Sequence, residues 1–134
     1  MVRPGVPECP VAALYLAAVL LLGVGVAHSW LGERYVLRRI ERSASLPKLR
    51  LGGVEMMAQV LRFAWHITSI AWFGMAAILL LMAHDALSPR TAGAVIASTF
   101  LVSALTSGIP SRGKHYSWLV FLAVALLVLY ATHA

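Results

Sequence analysis

Residues 11–31 read VAALYLAAVLLLGVGVAHSWL and residues 32–42 read GERYVLRRIER. The first string contains no Asp, Glu, Lys or Arg, whereas the second brings in Arg34, Arg38, Arg39 and Arg42. A helix rises 1.5 Å per residue, so about 20 apolar residues cover the roughly 30 Å hydrocarbon core of a bilayer. Positive charge is retained on the cytoplasmic side of such a span. The two strings together therefore read as a transmembrane helix that ends at the inner face of a membrane.

The rest of the chain repeats the pattern. Further apolar segments lie at about 63–83, 92–109 and 118–131, and 60 % of the 134 residues are hydrophobic. In lipid every backbone amide has to be bonded within its own segment, and blocks this continuous lack the alternation of a barrel strand. The expectation is an all-α polytopic membrane protein, a single domain over 1–134 folded as an antiparallel bundle of four transmembrane helices. The basic loop 32–61 and Arg62 separate the first two segments, and Arg112 and Lys114 separate the last two. Arg3 and Arg90 alone fall on the opposite side, a split of nine to two that puts both basic loops in the cytoplasm and both termini outside. This asymmetry and anionic lipid headgroups account for the net charge of +6, so no nucleic-acid partner is expected. The single cysteine, Cys9, offers neither an internal disulfide nor a pair of thiolates for zinc.

Past the first span, Leu37, Ile40 and Ala44 share a helical face, while Arg34, Arg38 and Arg42 recur every four residues on another. Like charges at that spacing repel in water. Phosphate headgroups relieve the repulsion, so residues 33–43 read either as an amphipathic segment lying on the inner leaflet, with Arg34, Arg38 and Arg42 on anionic lipid, or as a frayed, solvated linker. Leu46-Pro47 and Gly52-Gly53 then interrupt the loop, and a helix restarts near Val54. In the outer turn, Ser88 before Pro89 has the form of an N-cap with proline at the first helical position. Small residues at Gly23 and Gly25 of the first segment allow close helix contact. The third segment is richer in them: Gly93, Ala97, Ala104 and Gly108 make it a packing spine, within the bundle or against another protein.

This topology brings several polar residues to one depth. At 1.5 Å per residue, His28 lies roughly 5 Å inside the inner boundary and His66 about as deep, while His115 opens the fourth segment at that boundary. Glu55, Gln59, Arg62, His66 and Ser69 follow one another at spacings of four or three and form a polar stripe, with Trp65 and Trp72 on other faces. Intramembrane ionisable groups are costly, which makes them functional candidates. Three such uses are open. His28 and His66 could ligate haem b, with Arg62 or Arg34 on a propionate. His28, His66, His115 and Glu33 could hold a divalent metal. The stripe could also line a path for protons, ions or a quinone headgroup. Against these stands a structural use: the histidines hydrogen-bond across helices and staple the bundle, each bond contributing on the order of 0.6–2 kcal/mol. Trp30, Trp65 and Trp118 would then be an inner aromatic belt. No Ser-His-acid arrangement, glycine-rich phosphate loop or close acidic pair points to catalysis.

The blocks HSWLGERY at 28–35, LRFAWHITS at 61–69 and GKH at 113–115 resemble a group of small four-span inner-membrane proteins of GC-rich proteobacteria. The resemblance implies a bacterial inner membrane and brings no activity with it; in such a membrane the termini that the charge asymmetry puts outside are periplasmic. The leading expectation is thus a non-enzymatic accessory subunit or self-associating scaffold of a membrane complex. The alternative is a haem b- or metal-binding redox or transport protein that uses the cytoplasmic-side histidines.

Overall fold

A computed structural model describes residues 8–42 and 53–133, which are helical apart from short turns. Helix α1 (Glu8–Leu31) runs into a π-helical stretch (Gly32–Leu37) and a short α2 (Arg38–Arg42), followed by α3 (Gly53–Ala83), α4 (Pro89–Gly108) and α5 (Ser117–His133). Pro10–Arg42, Val54–Ala83 and Pro89–Gly108 are long and apolar enough to cross a membrane, whereas Ser117–His133 is apolar but shorter. Each apolar segment read from the sequence falls within one helix, except that the third ends one residue past α4, at Ile109. Helix α1 begins at Glu8, three residues before the apolar run at 11–31. Arg3, Ala44, Leu46-Pro47, Lys48, Arg50 and Gly52 lie outside the described residues.

Helix α1 packs on α3, α3 on α4 and α4 on α5, and α1 has no extensive contact with α4 or α5. The four helices are antiparallel, as expected, and their contacts follow chain order, so they form an open row. The reason lies in where the small residues are. Ala18 and Gly25 of α1 and Gly32 just past its end, seven residues apart, are buried, and they form one seam on the side that packs on α3. A Cβ at Gly25 would sit 2.5 Å from Phe73 Cε1, and one at Gly32 would overlap the Trp65 indole. The other faces of α1 carry Leu16, Val19, Leu20, Val26 and Trp30, all exposed. With one small-residue seam, α1 can approach one neighbour closely. Gly23, expected to join the contact, has nothing within 4 Å of its Cβ position.

The spine of α4 is used within the chain. Gly93 meets Thr132 and Gly108 meets Trp118 of α5, while Thr99 meets Gly74 of α3. Ala97, Ala104 and Ala125 are also buried. Large aliphatic side chains point outward along the row, the distribution that suits a lipid solvent.

At Gly32 the chain does not turn aside. Leu31 (φ −67°, ψ −41°) and Arg38 (φ −62°, ψ −30°) are both right-handed helical, and the Arg38 N–H donates to the Glu33 carbonyl five residues back. The segment expected to lie flat on the leaflet instead continues α1 beside the start of α3, with Leu37 3 % exposed. At 1.5 Å per residue, α1 with its extension and α3 measure roughly 45–55 Å, well beyond a 30 Å core.

The start of α4 follows the sequence expectation and adds to it. Ser88 Oγ accepts from the Thr91 N–H at 3.1 Å, and Thr91 Oγ1 accepts from the Ser88 N–H at 2.9 Å, with Pro89 at the first turn. Two otherwise unpaired donors are thereby satisfied. Ser88→Ala is expected to lower stability by about 1 kcal/mol in chemical unfolding in detergent. An unchanged midpoint would mean that the α3–α4 turn holds its form without the cap.

Candidate functional site

The polar stripe of α3 divides between two neighbours. Glu55 and Gln59 face the α4–α5 connection, where they line a cleft of about 270 Å³ with Ser111, Arg112 and Lys114. Arg62, His66 and Ser69 meet α1 and its extension, and there a connected cluster forms.

Glu33 is its centre. Arg62 donates from Nε to Glu33 Oε2 and from Nη2 to Glu33 Oε1, both at 3.1 Å. Such a two-pronged pair is stronger and more directional than a single charged hydrogen bond. Nη2 of Arg62 also reaches Glu41 at 2.9 Å, and Arg38 Nε lies 3.7 Å from Glu33. On the inner side, His66 Nε2 is 3.6 Å from Glu33 Oε2, and His66 Nδ1 is 3.0 Å from Ser29 Oγ. The Ser29 hydroxyl donates on to Ser69 Oγ at 2.9 Å, and Ser69 is only 1 % exposed. The chain Glu41–Arg62–Glu33–His66–Ser29–Ser69 thus runs from the exposed end of the hairpin to its packed interior. The Glu33, Arg62 and His66 side chains are each about one-third exposed, so the outer half of the cluster is wet.

The sequence placed His28 and His115 with these residues, and the structure separates them. His28 stacks on Trp65 (centroids 4.5 Å apart, planes within 7°) and meets the edge of Trp72 at 5.0 Å. Trp65 and Trp72, read as lying on other faces, therefore belong to the same α1–α3 contact. His115 lies against Phe63 at 4.8 Å and bonds Ser117 Oγ through Nδ1 at 2.8 Å. Of the four proposed metal ligands, Glu33 and His66 are together while His28 and His115 are apart from them. No group of three or more His, Cys, Asp or Glu able to hold a metal ion occurs among the described residues. As haem ligands, His28 and His66 project from helices that touch directly at Gly25 and Gly32, with the His28 ring already covered by two indoles.

The tryptophans also diverge. Trp65 donates Nε1–H to the His28 carbonyl at 2.9 Å and Trp118 donates to the Gly113 carbonyl at 3.2 Å, so both are turned inward. Trp30 is 58 % exposed and has the outward position of a belt residue.

Two participants escaped the sequence reading. Glu41 was counted as part of the basic loop, although it lies eight residues from Glu33 and thus near the same helical face. Gly32, at the start of the loop range 32–61, continues the seven-residue series from Ala18 and Gly25. Chemically, both Glu33 oxygens are engaged by Arg62, and the His66 imidazole lies between a hydroxyl and a carboxylate. The arrangement ties α1 and its extension to α3. Compared with known protein families, curated proteins and solved structures, the chain matches none of them.

Proposed function

We propose that this chain is a small integral protein of a bacterial inner membrane, with its basic end in the cytoplasm and its termini in the periplasm. It acts there as a non-enzymatic accessory subunit or scaffold of a membrane complex. The observation that carries this reading is the use of the polar cluster: Glu33, Arg62, His66, Ser29 and Ser69 pair with one another across α1 and α3. Polar residues spent in this way staple helices, the role hydrogen bonds across membrane helices commonly have.

The open row supports a partner. Unlike a closed bundle, it leaves α3 and α4 uncovered on its broad faces, where Met75, Ile96, Leu101 and Leu105 are exposed. An apolar cleft of about 300 Å³ between Ile67, Gly74, Met75, Val95, Ile96 and Phe121 opens there as well. The small residues of α4 are occupied within the chain, so the partner contact uses these larger aliphatic side chains. Crosslinking in native membranes followed by extraction in a mild detergent is expected to recover a second protein or an oligomer of this chain. A monomer from both treatments would overturn the scaffold reading. An ultraviolet–visible spectrum on the same sample is expected to lack a Soret band, and a band that shifts on reduction would establish a haem protein instead.

A further inference from the structure

We propose that the face of α1 turned away from α3 binds one anionic phospholipid, with its phosphate on the arginines past Leu31 and an acyl chain along the groove over Gly23. The inference rests on the reading of α1 as a membrane span whose basic end meets the cytoplasmic leaflet.

Two clefts adjoin on that face. Arg34, Tyr35, Arg38, Arg39 and Arg42 line one of about 470 Å³. Val19, Leu22, Gly23, Val26, Ala27 and Trp30 line the other, of about 530 Å³ and apolar. Arg34 joins them: its Cζ lies 5.8 Å from the centroid of Trp30, in the apolar groove, and 5.8 Å from that of Tyr35, in the basic one. This pairing of a cation with ring faces fixes the arginine at the junction. Winding matters too. In an uninterrupted α-helix, each four-residue step moves a side chain about 40° around the axis, which would carry Arg34, Arg38 and Arg42 away from the Val26–Trp30 stripe. The wider π turn at Gly32–Leu37 offsets that drift. Gly23 forms the floor of the groove, open above with nothing within 4 Å.

Charge decides the occupant. Arg38 lies 3.7 Å from Glu33, but Arg34, Arg39 and Arg42 have no carboxylate partner among the described residues. Like charges on successive turns repel, and a phosphate between them removes the repulsion. A phosphate with an apolar chain reaching roughly 15 Å further along the same helix face is a phospholipid.

The test uses the whole protein reconstituted in nanodiscs of mixed dioleoyl phosphatidylglycerol and dioleoyl phosphatidylcholine, released and read by native mass spectrometry. Wild type is expected to retain one phosphatidylglycerol in at least about fivefold preference over phosphatidylcholine. Arg34→Gln/Arg39→Gln/Arg42→Gln, which spares the Arg38–Glu33 pair, is expected to abolish the preference. Gly23→Leu, which fills open space, is expected to lower retention while leaving folding intact. Retention that ignores Gly23→Leu but follows the arginines would show a diffuse headgroup film and overturn the seated-lipid site, as would equal retention of the two lipids. A second readout needs no variant: brominated phosphatidylglycerol is expected to quench Trp30 more than brominated phosphatidylcholine, with Trp30→Phe as the reference. Alkaline carbonate extraction of cell membranes separates the two levels. Release into the supernatant would defeat the membrane reading itself, whereas retention without lipid preference would defeat this inference alone.

Discussion

Gly32→Leu is expected to leave little folded protein, through the loss of about 4 kcal/mol or more of stability. A Cβ at position 32 would occupy the place of the Trp65 indole nitrogen. Trp65 cannot simply swing aside, because its ring is stacked on His28 and its N–H is bonded to the His28 carbonyl. Accommodation therefore requires the helices to separate at Gly32, immediately beside the Glu33–Arg62 pair. Overpacking alone costs about 1–3 kcal/mol, and a lost hydrogen bond and a strained ion pair add to it. Against a total stability of about 5–15 kcal/mol this is a large share. Tryptophan emission during denaturant unfolding in detergent reads the effect. Gly32→Ala should be milder, and Trp65→Leu should partly rescue it by vacating the contested space. Gly23→Leu is the comparison that gives the result meaning, since that position faces open space. Equal losses at positions 23 and 32 would remove the α1–α3 seam as the basis of the pairing.

The helices were legible because each one announces itself locally. A charge-free run, a Ser-Pro cap and a basic flank all act within a few residues, and the limits of α4 and α5 follow from them. The row was not legible, because it depends on which of two glycines faces a neighbour. Gly23 and Gly25 are equivalent as small residues, and only the seven-residue series Ala18–Gly25–Gly32 distinguishes them. The candidate site divides in the same way. Arg62, His66 and Ser69 share a face by spacing alone, and the match of Glu33 to Arg62 follows from antiparallel pairing. Whether His28 joins them depends on azimuth around α1, which depth along the axis does not supply. His28 is one position from Ser29, about 100° around the helix, and so meets Trp65 while Ser29 meets His66. The π turn had no visible signal, and it shifts the azimuth of everything from Gly32 to Arg42.

Arg62→Leu is expected to cost about 2–3 kcal/mol, and the double variant Arg62→Leu/Glu33→Leu distinctly less. Arg62 is the common partner of Glu33 and Glu41, so its removal leaves two carboxylates facing each other at one end of the hairpin. The side chains of Glu33 and Glu41 are 29 % and 32 % exposed, which places the pair between a dry ion pair and a surface one. A fully exposed pair would contribute no more than about 1 kcal/mol, and breaking a fully buried one would cost about 3–5 kcal/mol. Removing Glu33 together with Arg62 takes away one of the two facing carboxylates, and with it their repulsion, which is why the double variant should recover stability. Arg62→Lys separates charge from geometry: it keeps the cation but loses the fork that spans both Glu33 oxygens, so an intermediate loss is expected. Hydrogen exchange at residues 33–42 should rise with each loss, because the ties of Glu33 and Glu41 hold that extension against α3. If the single and double variants were equally stable, the pair would be solvated in effect. The α1–α3 contact would then depend on the Gly25 and Gly32 seam, and the polar cluster would be free for a role other than stapling.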